Sequence, residues 1–148
     1  MLIANNDSIK NININEVGMN KIIITNNSKV FEKYKTQYEI IFLETGLYMD
    51  VLNCARDKTH LGYKLLTHPM AGSLKPNQTP YKSVIIENNN GMTDSGSIIL
   101  IENSIEAANK FLKFKSTPKW TDKILSDFKT VDLSLIENVI NNPMFKII

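Results

Sequence analysis

Residues 65–83 read LLTHPMAGSLKPNQTPYKS, and the way this stretch joins the apolar segments on either side of it decides the fold. Before it, Lys64, Leu65, Leu66, Thr67 and His68 form a strand-like run that Pro69 stops, because proline lacks the N–H a β-ladder needs. After it, Ser83 to Glu87, centred on Val84, Ile85 and Ile86, is a second such run, closed by the turn formers Asn88 to Gly91. Three of the chain's five prolines, Pro69, Pro76 and Pro80, lie between the two runs. They restrict the unfolded loop, so a long connection can hold one shape at lower entropic cost.

Upstream, Ile22, Ile23 and Ile24 are a continuous β-branched run ended by Thr25, Asn26, Asn27 and Ser28, the pattern of a strand buried on both faces. Ser28 or Asn27 can cap a short helix to about Lys35, and Tyr38 to Leu43 make the next strand. Gly46 opens a helix from Leu47 to about Lys58, with Leu47, Val51, Leu52 and Ala55 on one side. Downstream, Ile101, Ile105, Ala108 and Leu112 follow a helical rhythm opposite Glu102, Glu106 and Asn109, although Ile98–Ile101 also reads as a fifth strand. Thr117 before Pro118 has the form of an N-cap with proline at the first helical position, opening a helix that buries Trp120, Ile124 and Phe128. Asp132 is expected to restart a helix carrying Leu135, Ile136, Val139 and Ile140 to about Pro143, and the apolar tail Met144–Ile148 to pack down. Residues 1–20 are Asn-rich with a weak alternation at Ile12 and Ile14, and read as a flexible extension or an edge strand ahead of a single domain at 21–148.

Strands alternating with helices point to the α/β class: a single-domain three-layer sandwich on a mainly parallel, Rossmann-like sheet of four or five strands. In the order 2-1-3-4, the first and third strands flank the switch point where open α/β sheets bind ligands. The loops at that point are Thr25–Ser28 and the segment beginning at His68.

Composition narrows the function classes. A chain of 148 residues, 43% hydrophobic and 22% charged, fits one globular domain that needs no disulfide or metal to hold a core. Cys54 is the single cysteine, and with His60 and His68 it matches no metal-ligand spacing, so no metal and no cofactor is expected. No apolar run approaches a membrane span and no signal-peptide pattern opens the chain, so a cytoplasmic protein without a membrane partner is expected. The net charge of +2 is too small to imply nucleic-acid binding, and aromatics are not read as interleaved with the lysines. The excess of Lys (16), Asn (18) and Ile (20) spreads through every segment, as codon bias in an AT-rich genome would give. The distribution of charge is more informative: Lys58, Lys64, Lys75 and Lys82 precede Glu87 with no acid between them, whereas Glu87, Asp94, Glu102 and Glu106 follow before another lysine.

The candidate ligand-binding residues are Asn26, Asn27, His68, Gly72, Ser73, Lys75, Asn77, Thr79, Tyr81 and Lys82. A stiff loop dense in donors and empty of acids suits a small anion, phosphate or carboxylate. Its bland counterpart is a loop whose side chains satisfy its own backbone. His68 is the one candidate for proton transfer, against the alternative of a histidine bonded to its own loop, and no catalytic residue is assigned. Cys54 borders an apolar helix stripe and reads as a small buried hydrophobe. A phosphate-binding P-loop and a dinucleotide fingerprint are both missing.

KIIITNN at 21–27 and KLLTHPMAGSLKPNQTPYKSVII at 64–86 resemble the GrdX family, small proteins encoded beside the glycine, sarcosine and betaine reductase components of amino-acid-fermenting anaerobes such as clostridia. The likeness runs from about Lys21 to Lys115 and includes Leu47–Val51 and the segment Ser104–Phe111. The resemblance implies a cytoplasmic accessory protein of a selenoprotein-dependent reductase system and carries over no catalytic residue. Three readings follow: a non-catalytic accessory protein whose 68–83 loop contacts a reductase subunit or a small anion; a small enzyme or ligand sensor for a carboxylate or phosphate; and a pure interaction module.

Overall fold

The computed structural model describes residues 20–70 and 74–146. Of the extension expected at 1–20 only Asn20 falls within them, and Ile147 and Ile148 of the expected apolar tail also lie outside. The elements run β1 (Lys21–Thr25), α1 (Ser28–Tyr34), β2 (Glu39–Phe42), α2 (Tyr48–His60), β3 (Tyr63–Leu65), β4 (Ser83–Asn88), α3 (Ser95–Phe114) and α4 (Asp122–Ile140), followed by a 3₁₀ turn at Pro143–Lys146.

The sheet corrects the expected topology. Its order is β2-β1-β4-β3; β1 pairs β2 in parallel, but β4 is antiparallel to both β1 and β3, so the sheet is mixed and not Rossmann-like. The reason lies in the stretch that joins β3 to β4. A parallel return needs a crossover, usually a helix, to carry the chain back along the sheet. The described residues between Leu66 and Lys82 contain no helix. They stay at the edge where β3 ended, held there by Asn26 at the end of β1, and the chain re-enters from that same edge. β4 therefore slots between β1 and β3, with Thr25 opposite Ser83 and Leu65 opposite Ile86. The crevice expected between the first and third strands is filled by a strand.

Both faces of the sheet are covered. On one side Ile22, Ile24, Val84 and Ile86 meet Val51, Leu52 and Ala55 of α2 and Ile101, Ile105 and Ala108 of α3. On the other, Ile23 and Ile85 meet Val30 and Tyr34 of α1, Ile136 and Ile140 of α4, and Phe145. The continuous apolar runs of β1 and β4 are thus buried on alternate faces, as central strands require.

Three local readings differ in the structure. Ile98–Ile101 lies inside α3, whose N-cap Asp94 accepts from Ser97 N at 3.0 Å, so there is no strand in that segment. Thr117 does not cap α4; its hydroxyl donates to Pro76 O at 3.0 Å, and Thr121 caps instead. Nor does Asp132 restart a helix. α4 is continuous through it, because its carboxylate turns inward rather than back onto its own backbone.

Candidate functional site

The edge formed by the end of β1, the start of β4 and the connecting loop carries Asn26, Asn27, Thr79, Tyr81 and Lys82, bonded partly to one another and mostly to other parts of the fold. Asn26, 4% exposed, donates from Nδ2 to Gly46 O (3.0 Å) and Pro80 O (2.8 Å), while its Oδ1 accepts from Lys82 N (2.9 Å). One amide side chain therefore ties the β1 end, the entry to α2 and the loop. Asn27 caps α1 by accepting from Lys29 N, and its Nδ2 donates to Lys129 O and to Asp132 Oδ2.

The loop is held from several sides. Asn77 Nδ2 donates to Phe111 O (3.2 Å), Trp120 Nε1 to Gln78 O (2.7 Å), and Gln78 Oε1 accepts from Lys75 N (2.9 Å). Thr79 Oγ1 accepts from Tyr81 N, and Lys129 Nζ lies 5.3 Å above the Tyr81 ring. Of these side chains Thr79 and Gln78 serve the loop's own backbone, whereas Asn26, Asn27 and Asn77 tie the loop or the β1 end to other elements. His68 is exposed, and its Nδ1 accepts from Met70 N at 3.0 Å, closing a local turn. Gly72 and Ser73 lie outside the described residues. Cys54 is on α2, half-buried, with burial pushing its thiol up from its ordinary range, so nothing activates it as a nucleophile.

Behind the loop is a buried polar chain in which Asp132 had no role from sequence. Ser83 Oγ donates to Asp132 Oδ2 (2.7 Å), which commits the serine hydrogen; Thr25 Oγ1, 2.7 Å from Ser83 Oγ, must then donate to it, while accepting from Asn27 N (3.0 Å). These bonds align head to tail from the β1 end to α4, where each polarises the next. Lys82 and Asp132, each 6% exposed, line a cavity of about 20 Å³ with Tyr48, Thr79 and Tyr81, room for about one water. Burial lowers the Lys82 ammonium from its ordinary value, and the charge of Asp132 opposes that shift. Burial likewise raises the Asp132 carboxyl, against the bonds from Ser83 and Asn27 and the charge of Lys82. Burial also raises the Tyr48 phenol, which keeps its proton and donates to Met70 Sδ at 3.6 Å.

Asp132 gives a pH prediction. With a folded pKa above the ordinary 3.8, the folded state holds this proton more tightly than the unfolded one. The stabilisation is full below 3.8 and is lost as pH rises through the raised value. Asp132→Asn keeps an oxygen to accept from Ser83 and Asn27 but cannot ionise. Urea melts from pH 3 upward are expected to show the wild type losing stability relative to Asp132→Asn across that window; parallel profiles would refute the assignment.

Among the described residues no group of three or more His, Cys, Asp or Glu could hold a metal ion, and no helix is long and apolar enough to cross a membrane. A family model described as "GrdX-like protein" matches residues 22–141. No curated protein and no solved structure matches the chain.

Proposed function

The chain belongs to the GrdX-like protein family, and on that premise we propose that it is a non-catalytic accessory protein of the glycine, sarcosine and betaine reductase system that uses the 68–83 loop to contact a reductase subunit. The observation that carries this reading is how the loop is built. In its described part the backbone carbonyls of Pro76, Gln78 and Pro80 accept from Thr117, Trp120 and Asn26, and Asn77 donates to Phe111 O, while His68, Lys75 and Gln78 keep exposed side chains. Long ordered loops on a rigid scaffold commonly carry contacts, and a pre-shaped one binds with less ordering cost. The one thiol, Cys54, lies on α2 with a raised pKa, which fits reductase chemistry residing on other subunits.

The test mixes the purified protein with each purified reductase component and follows complex formation by size-exclusion chromatography. A complex with one component is expected, and His68→Ala with Lys75→Glu, both surface changes, should weaken it at least about tenfold while leaving the melting temperature within the small range usual for exposed sites. If no component binds, or the loop variant binds as well as wild type, the reading is wrong. The buried cation and carboxyl of Lys82 and Asp132 at this edge favour a second reading, a small enzyme or sensor for a carboxylate or phosphate compound, whose ligand must lie outside the one-water cavity. Acetyl phosphate, glycine and inorganic phosphate should then raise the melting temperature, by an amount equivalent to about 2.7 kcal/mol at 100 times the dissociation constant.

A further inference from the structure

Residues 107–121, AANKFLKFKSTPKWT, contain Lys110, Lys113, Lys115 and Lys119 and no acid. The sequence expectation that aromatics do not alternate with lysines fails here, since Phe111, Phe114 and Trp120 fall among them. The structure wraps this stretch, with loop residues 74–78 and Phe128 of α4, around an open groove of about 790 Å³. That is the size of a site for an organic molecule, far more than a bare ion occupies. Trp120 is fixed by its bond to Gln78 O and packs on Phe128 with ring centroids 5.6 Å apart. Phe114 stands 87% exposed at the groove, an unusual position for a phenylalanine.

The charge on the groove has one sign. Among the described residues Lys75, Lys110 and Lys115 line it, and no aspartate or glutamate does. Lys110 reaches Glu106 at 3.3 Å, an exposed i,i+4 pair that competes weakly with a ligand. Lys75 Nζ lies 5.3 Å over the Phe111 ring, so cation and aromatic face are already set side by side.

We propose that this groove is a binding site for an amphipathic organic anion, its apolar body lying on Phe111, Phe114 and Phe128 and its carboxylate or phosphate head held by Lys75, Lys110 and Lys115. An inorganic anion would leave the aromatic surface unused, and a neutral apolar molecule would leave the lysines unmatched. Volume and charge together select a molecule that has both parts. The groove shares Lys75 and Gln78 with the proposed subunit contact, but the selection of an anion does not rest on that contact.

The chain supplies its own reporter, because Trp120 is its only tryptophan. The probe is 8-anilinonaphthalene-1-sulfonate, an aromatic monoanion whose absorption overlaps tryptophan emission. Excitation of Trp120 should give saturable, one-to-one sensitised emission from the bound probe. Decanoate should displace it, and decyltrimethylammonium, with the same chain and opposite charge, should not. Lys110→Glu with Lys115→Glu should weaken binding by about tenfold, the product of two reversed surface charges. Phe114→Asp should weaken it comparably, and circular dichroism should show both variants folded, since all three side chains are exposed. Four results would overturn the proposal: no energy transfer from Trp120, equal affinity in the charge-reversed variant, displacement by the cationic amphiphile, or displacement by an acidic peptide or oligo-dT but not by decanoate. The variants leave His68 and Lys75 of the proposed subunit contact unchanged, so the two readings fail separately.

Discussion

Asn26→Ala is expected to lower the unfolding free energy by about 3 kcal/mol or more, measured by urea denaturation at neutral pH. The magnitude follows from three bonds lost together. Gly46 O, Pro80 O and Lys82 N all lose the partner that the Asn26 amide provides; the Lys82 bond is buried and the other two are half-buried. A buried polar group left without a partner costs about 1–3 kcal/mol, and relaxation of the loop recovers part of the sum. The effect should also be local. Amide hydrogen exchange at Lys82 should accelerate in the variant more than at Ile85 in the middle of β4, because the loop loses its anchor while the ladder remains. A loss below 1 kcal/mol would show that the loop is held by its other contacts and that Asn26 is incidental.

Gly62→Ala should be comparably damaging for a different reason. Gly62 follows α2 with φ +96°, where a side chain is strained, and a Cβ there would stand 2.4 Å from the Cα and C atoms of Gly91. Backbone cannot move aside as a flexible side chain can, so conformational strain and overlap add to about 3 kcal/mol or more. Gly91 is the internal control. Its φ of +74° carries the same kind of conformational cost, but a Cβ there meets none of the described residues within 4 Å, so Gly91→Ala should cost only about 1–2 kcal/mol. Equal losses in the two variants would mean that the close approach of the two turns is not tight.

Local pattern and long-range arrangement were legible to different degrees, and the reason is physical. The β-branched runs at Ile22–Ile24 and Val84–Ile86 and the stripe through Ile101, Ile105 and Ala108 are written in consecutive residues, and the elements appear where those residues stand. Strand order depends on which edge the chain re-enters, which no residue of β3 or β4 encodes. The signal available was the lack of any helical rhythm between Pro69 and Lys82, which argues against a crossover. Asp132 shows a similar limit. Its partners Asn27 and Ser83 lie 105 and 49 residues away. Yet Asp132 falls in line with Phe128, Ile136 and Ile140 at four-residue steps, and a lone carboxylate on an apolar stripe is a reason to look for buried donors. The loop candidates Asn26, Asn27 and Lys82 do converge, although their geometry is that of a clasp.

The insertion of β4 between β1 and β3 also bears on how the chain assembles. Thr25 and Ser83, adjacent across the central strand pair, are 58 positions apart in sequence. β1, α1 and β2 can form a parallel unit from neighbouring residues, but the inner edge of β1 has no partner until the whole intervening chain is in place. Such a high-separation closure makes folding slow compared with helical proteins of the same length. On the ribosome, the β1 edge emerges well before the strand that will cover it. During that interval the Ile22–Ile24 segment is an open template for pairing with another chain, so soluble yield should depend more on expression rate and temperature than on the stability of the finished fold.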